Sequence, residues 1–157
     1  MNSARAAAAG LIGTGVMTTL LLIEPSVGLP KIAMGQVLST WLGLTSAHSA
    51  TGPALGWVLH FLIGMLLGLV YAGVFDRKLP GSPLTRGLLY GVLVFLVAQS
   101  VFMPLVGGGF FSRGDAQLLA GSLFGHLVYG GVTGWIYAAP AAQGELLAEE
   151  VIVTSSR

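Results

Sequence analysis

The sequence predicts an all-α membrane protein: four transmembrane helices forming two tandem helical hairpins, with a short interfacial helix between helices 1 and 2. Three observations predict it. Of 157 residues, 54% are hydrophobic and 8% charged, whereas soluble domains carry about 25% charged residues. Four runs, 6–23, 53–75, 87–106 and 116–139, contain no Asp, Glu, Lys or Arg, and each approaches or exceeds the ~20 apolar residues of a spanning helix. Two of the runs carry one pattern. His60, Gly64, Gly68, Tyr71 and Ala72 recur 66 residues later as His126, Gly130, Gly134, Tyr137 and Ala138.

Helix 1 follows Arg5 and closes at Glu24-Pro25, because proline cannot continue a helix. Its apolar run of 18 residues exceeds the roughly 7–15 of a signal-peptide core, so it reads as a retained span. Segment 30–45 is too polar to cross a bilayer. Ile32, Met34, Leu38, Trp41, Leu42 and Leu44 give it one apolar face, interrupted by Gln36, Ser39 and Thr40. That pattern predicts a helix lying along the membrane surface, with Trp41 as its anchor.

Helix 2 covers 53–75, and the polar, turn-rich stretch from Asp76 to Pro83 follows it. Helix 3 covers 87–106 and ends near Met103-Pro104, before an apolar loop from Gly107 to Phe111. Gln99 and Ser100 are its one strongly polar pair, expected to bond across helices. Helix 4 covers 116–139 and ends near Ala139-Pro140. Residues 1–140 thus form one bundle, and 141–157, with Glu145, Glu149 and Glu150, a cytoplasmic tail that is a short surface helix or unstructured. Arg5, Arg77, Lys78, Arg86 and Arg157 fall on one side, against Lys31 and Arg113 on the other. The excess of positive charge places both termini in the cytoplasm of a multi-pass protein of the cell (inner) membrane.

Each hairpin has two spans, so both copies enter the bilayer in the same direction, as a parallel repeat about the membrane normal. Gly56, His60, Gly64, Gly68 and Ala72 fall every fourth residue, as do Ser122, His126, Gly130, Gly134 and Ala138. Residues four apart form one ridge, and small-residue ridges let membrane helices approach closely. His60 and His126 therefore sit at one depth on matched ridges facing a common axis.

An ionisable side chain inside a span marks a functional site by default. Three readings fit the pair. In the first, each imidazole hydrogen-bonds a carbonyl or hydroxyl on a neighbouring helix. In the second, His60 and His126 are the axial ligands of a haem b, with Gly64 and Gly130 making room for the macrocycle and Lys31 or Arg113 meeting the propionates. In the third, Glu24, His60 and His126, with His48 nearby, form a non-haem metal or proton site. Cysteine is absent, which removes disulfides, thiolate metal sites and covalently attached haem. A net charge of +1 gives no electrostatic case for nucleic acid. No phosphate loop, dinucleotide fingerprint or Ser-His-Asp arrangement is present.

The Gly56-x3-His60-x3-Gly64-x3-Gly68 helix, the Met103-Pro104-Leu105-x-Gly107 segment and the closing Gly125-His126-Leu127-Val128-Tyr129-Gly130 resemble a family of small four-span bacterial and archaeal proteins of unknown function. The likeness covers about residues 8–139. It implies a four-helix membrane protein and supplies no catalytic residues. Small size and little extramembrane mass make the expected role a non-enzymatic subunit of a larger, respiratory-type membrane complex. Its partners would be the lipid bilayer and other membrane subunits or further copies of itself. The alternatives are a bis-histidine b-type cytochrome and a metal or proton site.

The absence of cysteine makes the topology directly measurable. In inside-out vesicles, Leu79→Cys should react with a membrane-impermeant maleimide while Phe110→Cys stays protected. The opposite pattern would invert the orientation.

Overall fold

A computed structural model describes the backbone of residues 1–43 and 51–155, and the side chains of 1–43 and 51–138. His48 and Leu44 lie outside the described residues. The described chain is all-helical, with five helices.

Helix α1, Ser3–Ile23, starts at Asn2, whose side chain accepts a hydrogen bond from the backbone N–H of Arg5 at 3.1 Å. That satisfies one of the orphan donors of the first turn. A 3₁₀ turn, Glu24–Val27, extends α1, and Gly28 closes it with φ +86°, a backbone conformation that glycine adopts without strain. Helix α2 is Met34–Trp41. Helix α3, Thr51–Val70, runs on into a π turn, Tyr71–Phe75. Helix α4, Pro83–Val97, is capped by Ser82 and opens on a proline, whose missing N–H costs nothing at that position. It continues through a second π turn, Ala98–Phe102, to Leu105. Helix α5, Ala116–Ser155, is opened by the Asp115 carboxylate, which accepts from the N–H groups of Gln117 and Leu118 at 3.0 Å.

Three of these segments, Ser3–Val27, Thr51–Phe75 and Pro83–Leu105, are long and apolar enough to cross a membrane. Their side chains are arranged inside out relative to a water-soluble bundle. The interior is dominated by small residues, among them Ala6, Ala9, Gly10, Thr14, Gly64, Gly68, Gly87 and Gly91, together with three tyrosines and a few large apolar side chains such as Leu21 and Phe95. Leu11, Val58, Leu62, Leu66, Val97 and Trp135 face outward.

The helices pack in the order α3, α1, α5, α4, with α2 laid on α3. Glycine sets each close contact. A Cβ on Gly10 would stand 2.5 Å from the carbonyl oxygen of Gly64 and 3.0 Å from the Cα of Gly68, and one on Gly68 would meet the Ala6 carbonyl at 2.5 Å. The α4–α5 contact has the same register. A Cβ on Gly134 would stand 2.5 Å from the Pro83 carbonyl and 2.8 Å from the Cα of Gly87, and Gly87 and Gly91 press on the carbonyls of Gly130 and His126. Gly10 thus does in the first pair what Gly87 does in the second.

Several elements differ from the sequence reading. Only Met34–Trp41 of segment 30–45 is helical among the described residues, and its buried face is Gly35, Leu38 and Ser39 rather than the apolar run. Gly35 sits against the Pro53 carbonyl and the Trp57 ring, which lets α2 reach the α3 backbone. Trp41 is half exposed and meets Phe102 edge-on at 6.2 Å. Helix α4 begins four residues before Gly87, because Ser82 supplies the cap. Helix α5 passes Pro140 and continues to Ser155. The residues that follow, Ala141, Ala142, Gln143, Glu145, Leu146 and Leu147, are strong helix formers, and they carry the helix beyond a proline that would otherwise end it.

The packing makes a paired prediction. Gly10→Ala should lower unfolding stability in detergent by about 1–3 kcal/mol through overpacking. Gly15, with open space around its Cβ position, should accept alanine at no cost or with a gain of up to about 1 kcal/mol. Equal effects would remove glycine contact as the packing device.

Candidate functional site: a lateral cavity between two helices

Among the described residues the closely packed helix pairs are α4 with α5, α1 with α5, α1 with α3 and α2 with α3, whereas α3 and α4 stand apart. There, a cavity of about 620 Å³ opens. Helices α1 and α5 form its back wall, α2 and residues 31–33 before it cover one end, and α3 and α4 form its sides. Val70, Leu93 and Val97 line it and are also exposed on the outer surface. The cavity therefore opens sideways, between two apolar helix faces.

A tyrosine explains why this side stays open. On α1, Gly13 follows Gly10 by three residues, and its missing side chain lets α5 approach until a Cβ there would lie 2.9 Å from the Tyr129 carbonyl. On α4, Tyr90 follows Gly87 by three residues. Its ring fills the corresponding space, and its hydroxyl donates to the Leu67 carbonyl of α3 at 2.8 Å. Tyr90 packs with Tyr71 and Phe75, ring centroids 5.2 Å away in each case. It props α4 off α3 at the end that holds Asp76 and Arg86. From α5, Tyr129 reaches across the centre and donates to the Gly64 carbonyl at 2.8 Å.

The polar groups of the cavity gather around His126. Its Nδ1 lies 2.7 Å from the backbone carbonyl of Ser122, one turn earlier. A carbonyl can only accept, so Nδ1 carries the proton and donates. Gln99, held in the π turn of α4, donates through Nε2 to the Ser122 hydroxyl at 2.9 Å and accepts from Ser112 through Oε1 at 2.8 Å. Ser112 comes from a left-handed turn, Phe110–Gly114, in which Phe111, Ser112 and Arg113 have φ of 45°, 49° and 55°. Such residues cost roughly 1–2 kcal/mol each. The turn drives Ser112 inward to Gln99 and sets Phe111 edge-on against Phe95, which in turn meets the His126 ring at 6.0 Å. π turns concentrate at functional sites, and here one aims the single buried amide of α4 into the cavity.

His60 lines the same cavity from α3. Its Nε2 lies 3.2 Å from the Thr18 hydroxyl of α1, and Trp57 and Phe61 flank the ring edge-on. His60 is thus tied to a neighbouring helix, and His126 to its own.

The structure brings together His60, His126 and Gly64, all on the lining. Gly130 is elsewhere, buried against the Gly91 backbone in the α4–α5 contact. Glu24 is buried over Gly121 of α5 and is not on the lining. Among the described residues no group of three or more His, Cys, Asp or Glu is placed to hold a metal ion. Lys31 lines the cavity, whereas the Arg113 guanidinium donates to the Gly107 carbonyl at 3.3 Å. Ser100 turns back to the Leu96 carbonyl of its own helix at 2.6 Å, so Gln99 alone makes the cross-helix bond expected of the pair. The sequence reading did not single out Tyr90 and Ser112. Comparing Gly10-x2-Gly13 with Gly87-x2-Tyr90 would have exposed the first; nothing in the loop sequence marks the second.

Fold and site together define an all-helical chain with three helices able to cross a membrane, built around one lateral apolar cavity with two histidines on its wall. The chain belongs to a family of unknown function, DUF6789, whose model matches residues 1–147. No curated protein and no solved structure matches it.

Gln99→Leu removes the partner of the buried Ser112 hydroxyl and of the part-buried Ser122 hydroxyl and should cost about 1–3 kcal/mol of stability. Ser100→Ala, losing only a bond within its own helix turn, should stay within about 0.5 kcal/mol. Unfolding in detergent measures both, and a reversed order would dissolve the network described above.

Proposed function

We propose that this chain is a four-span integral membrane protein whose role is to bind a lipid-soluble small molecule in the cavity between α3 and α4. In this reading 116–138 is the fourth span, both termini are cytoplasmic, and α1–α3 and α4–α5 are two copies of one hairpin. Residues 116–138 carry no charge and pack between α1 and α4. The shared glycine register of the two hairpins supports the repeat.

The observation that carries the binding role is the cavity itself. Its volume of about 620 Å³ is that of a small-molecule site, and such sites combine an apolar wall with a few convergent polar groups. A cavity that opens through outward apolar faces is reached from lipid, so its occupant must be lipid-soluble. The outer apolar surface alone does not call for a larger complex, because lipid covers it equally well. Lipid does not account for partly buried histidines and a glutamine network.

Photolabelling in proteoliposomes tests the role. An alkyl diazirine should label Leu67 and Val94 saturably and the outward Val58 and Leu66 without saturation. Val94→Trp, which fills the cavity, should abolish the saturable part. Absence of any saturable labelling would defeat the proposal.

A bis-histidine haem is the second reading, favoured by the presence of both imidazoles on one cavity. Purified protein would then show a Soret band that is lost in His60→Ala and His126→Ala. A colourless protein from haem-supplied cells would end that reading.

A further inference from the structure

We infer that the molecule held in the cavity carries a hydroxyl group that donates its proton to Nε2 of His126. The inference rests on the binding role proposed above and narrows its ligand class to an apolar body with a hydroxyl head.

Hydrogen-bond accounting leads there. The Nδ1 proton of His126 is committed to the Ser122 carbonyl at 2.7 Å. Among the described residues no carboxylate lies within ion-pair distance of the ring, and an unpaired charge in an apolar cavity is costly. The imidazole is therefore neutral, and Nε2 presents a lone pair. Among the described residues no group donates to it, yet it is not a buried orphan, so it retains accessible surface. His126 lines the cavity, and that surface faces its space.

Several donors of the cavity wall are already engaged. The Thr14 hydroxyl donates to the Gly10 carbonyl at 2.8 Å, Tyr90 to Leu67, Ser112 to Gln99 and Tyr129 to Gly64. Gln99 uses Oε1 and Nε2 on Ser112 and Ser122. His60 meets Thr18. A ligand that brings only a carbonyl or ether oxygen leaves the His126 acceptor unmatched. A ligand that brings a hydroxyl satisfies that acceptor. The rest of the cavity is apolar and takes a hydrocarbon body.

Two probes of nearly equal shape isolate the hydroxyl: 4-nonylphenol and its methyl ether, 4-nonylanisole. Each competes against the saturable diazirine label in proteoliposomes of the intact chain. The phenol should displace the label at about tenfold lower concentration, the ratio that one hydrogen bond to a desolvated acceptor supports. The gap should vanish in His126→Phe and persist in His60→Phe. Equal displacement by both probes on the wild-type protein, or a preference for the ether, overturns the hydroxyl assignment and leaves the binding role standing. Loss of the saturable label itself removes the binding role beneath it. The wild-type comparison requires no variant to fold.

Discussion

Everything in this structure depends on backbone meeting backbone at glycine. Gly10 against Gly64 and Gly68, and Gly87 against Gly130 and Gly134, bring paired helices to distances at which a single Cβ would collide with a carbonyl. In lipid the hydrophobic effect gives helices no reason to associate, and close van der Waals packing takes its place. Most large apolar side chains are consequently free to face outward, and the interior is built mainly from glycine, alanine, threonine and tyrosine, with Leu21, Leu38 and Phe95.

The same device, used unequally, makes the cavity. Gly13 lets α1 and α5 close, while Tyr90, at the matching place on α4, holds α3 away and anchors itself to the Leu67 carbonyl. One substitution of a ring for a hydrogen turns what would be a fourth tight contact into a lateral space. The π turn that presents Gln99 and the left-handed turn that presents Ser112 then furnish that space with a polar end. Both are costly backbone choices, and they converge on the residues beside His126.

Much of this was legible in the sequence. The charge-free runs located the helices, and the four-residue spacing of His60, Gly64 and Gly68 identified the ridge that packs. The repeat pattern singled out the two histidines that line one cavity. It was less able to separate their surroundings. Gly64 and Gly130 hold the same place in the pattern, but one lines the cavity and the other is covered by Gly91, because the two sides of the bundle differ in packing rather than in motif. The left-handed Phe111–Arg113 turn was illegible, since none of its residue types favours positive φ. The polar reach of Glu24 toward the histidines also failed to materialise, because the 3₁₀ turn that ends α1 directs it onto Gly121.

The central claim is that Tyr90 holds α3 and α4 apart. A double electron–electron resonance measurement between spin labels on Leu66→Cys and Leu89→Cys, in a chain that has no other cysteine, tests it directly. With Tyr90→Gly the distance distribution should shift to shorter values than with Tyr90 in place, as α4 closes on α3 in the manner of α1 on α5. An unchanged distribution in a folded Tyr90→Gly protein would contradict the account.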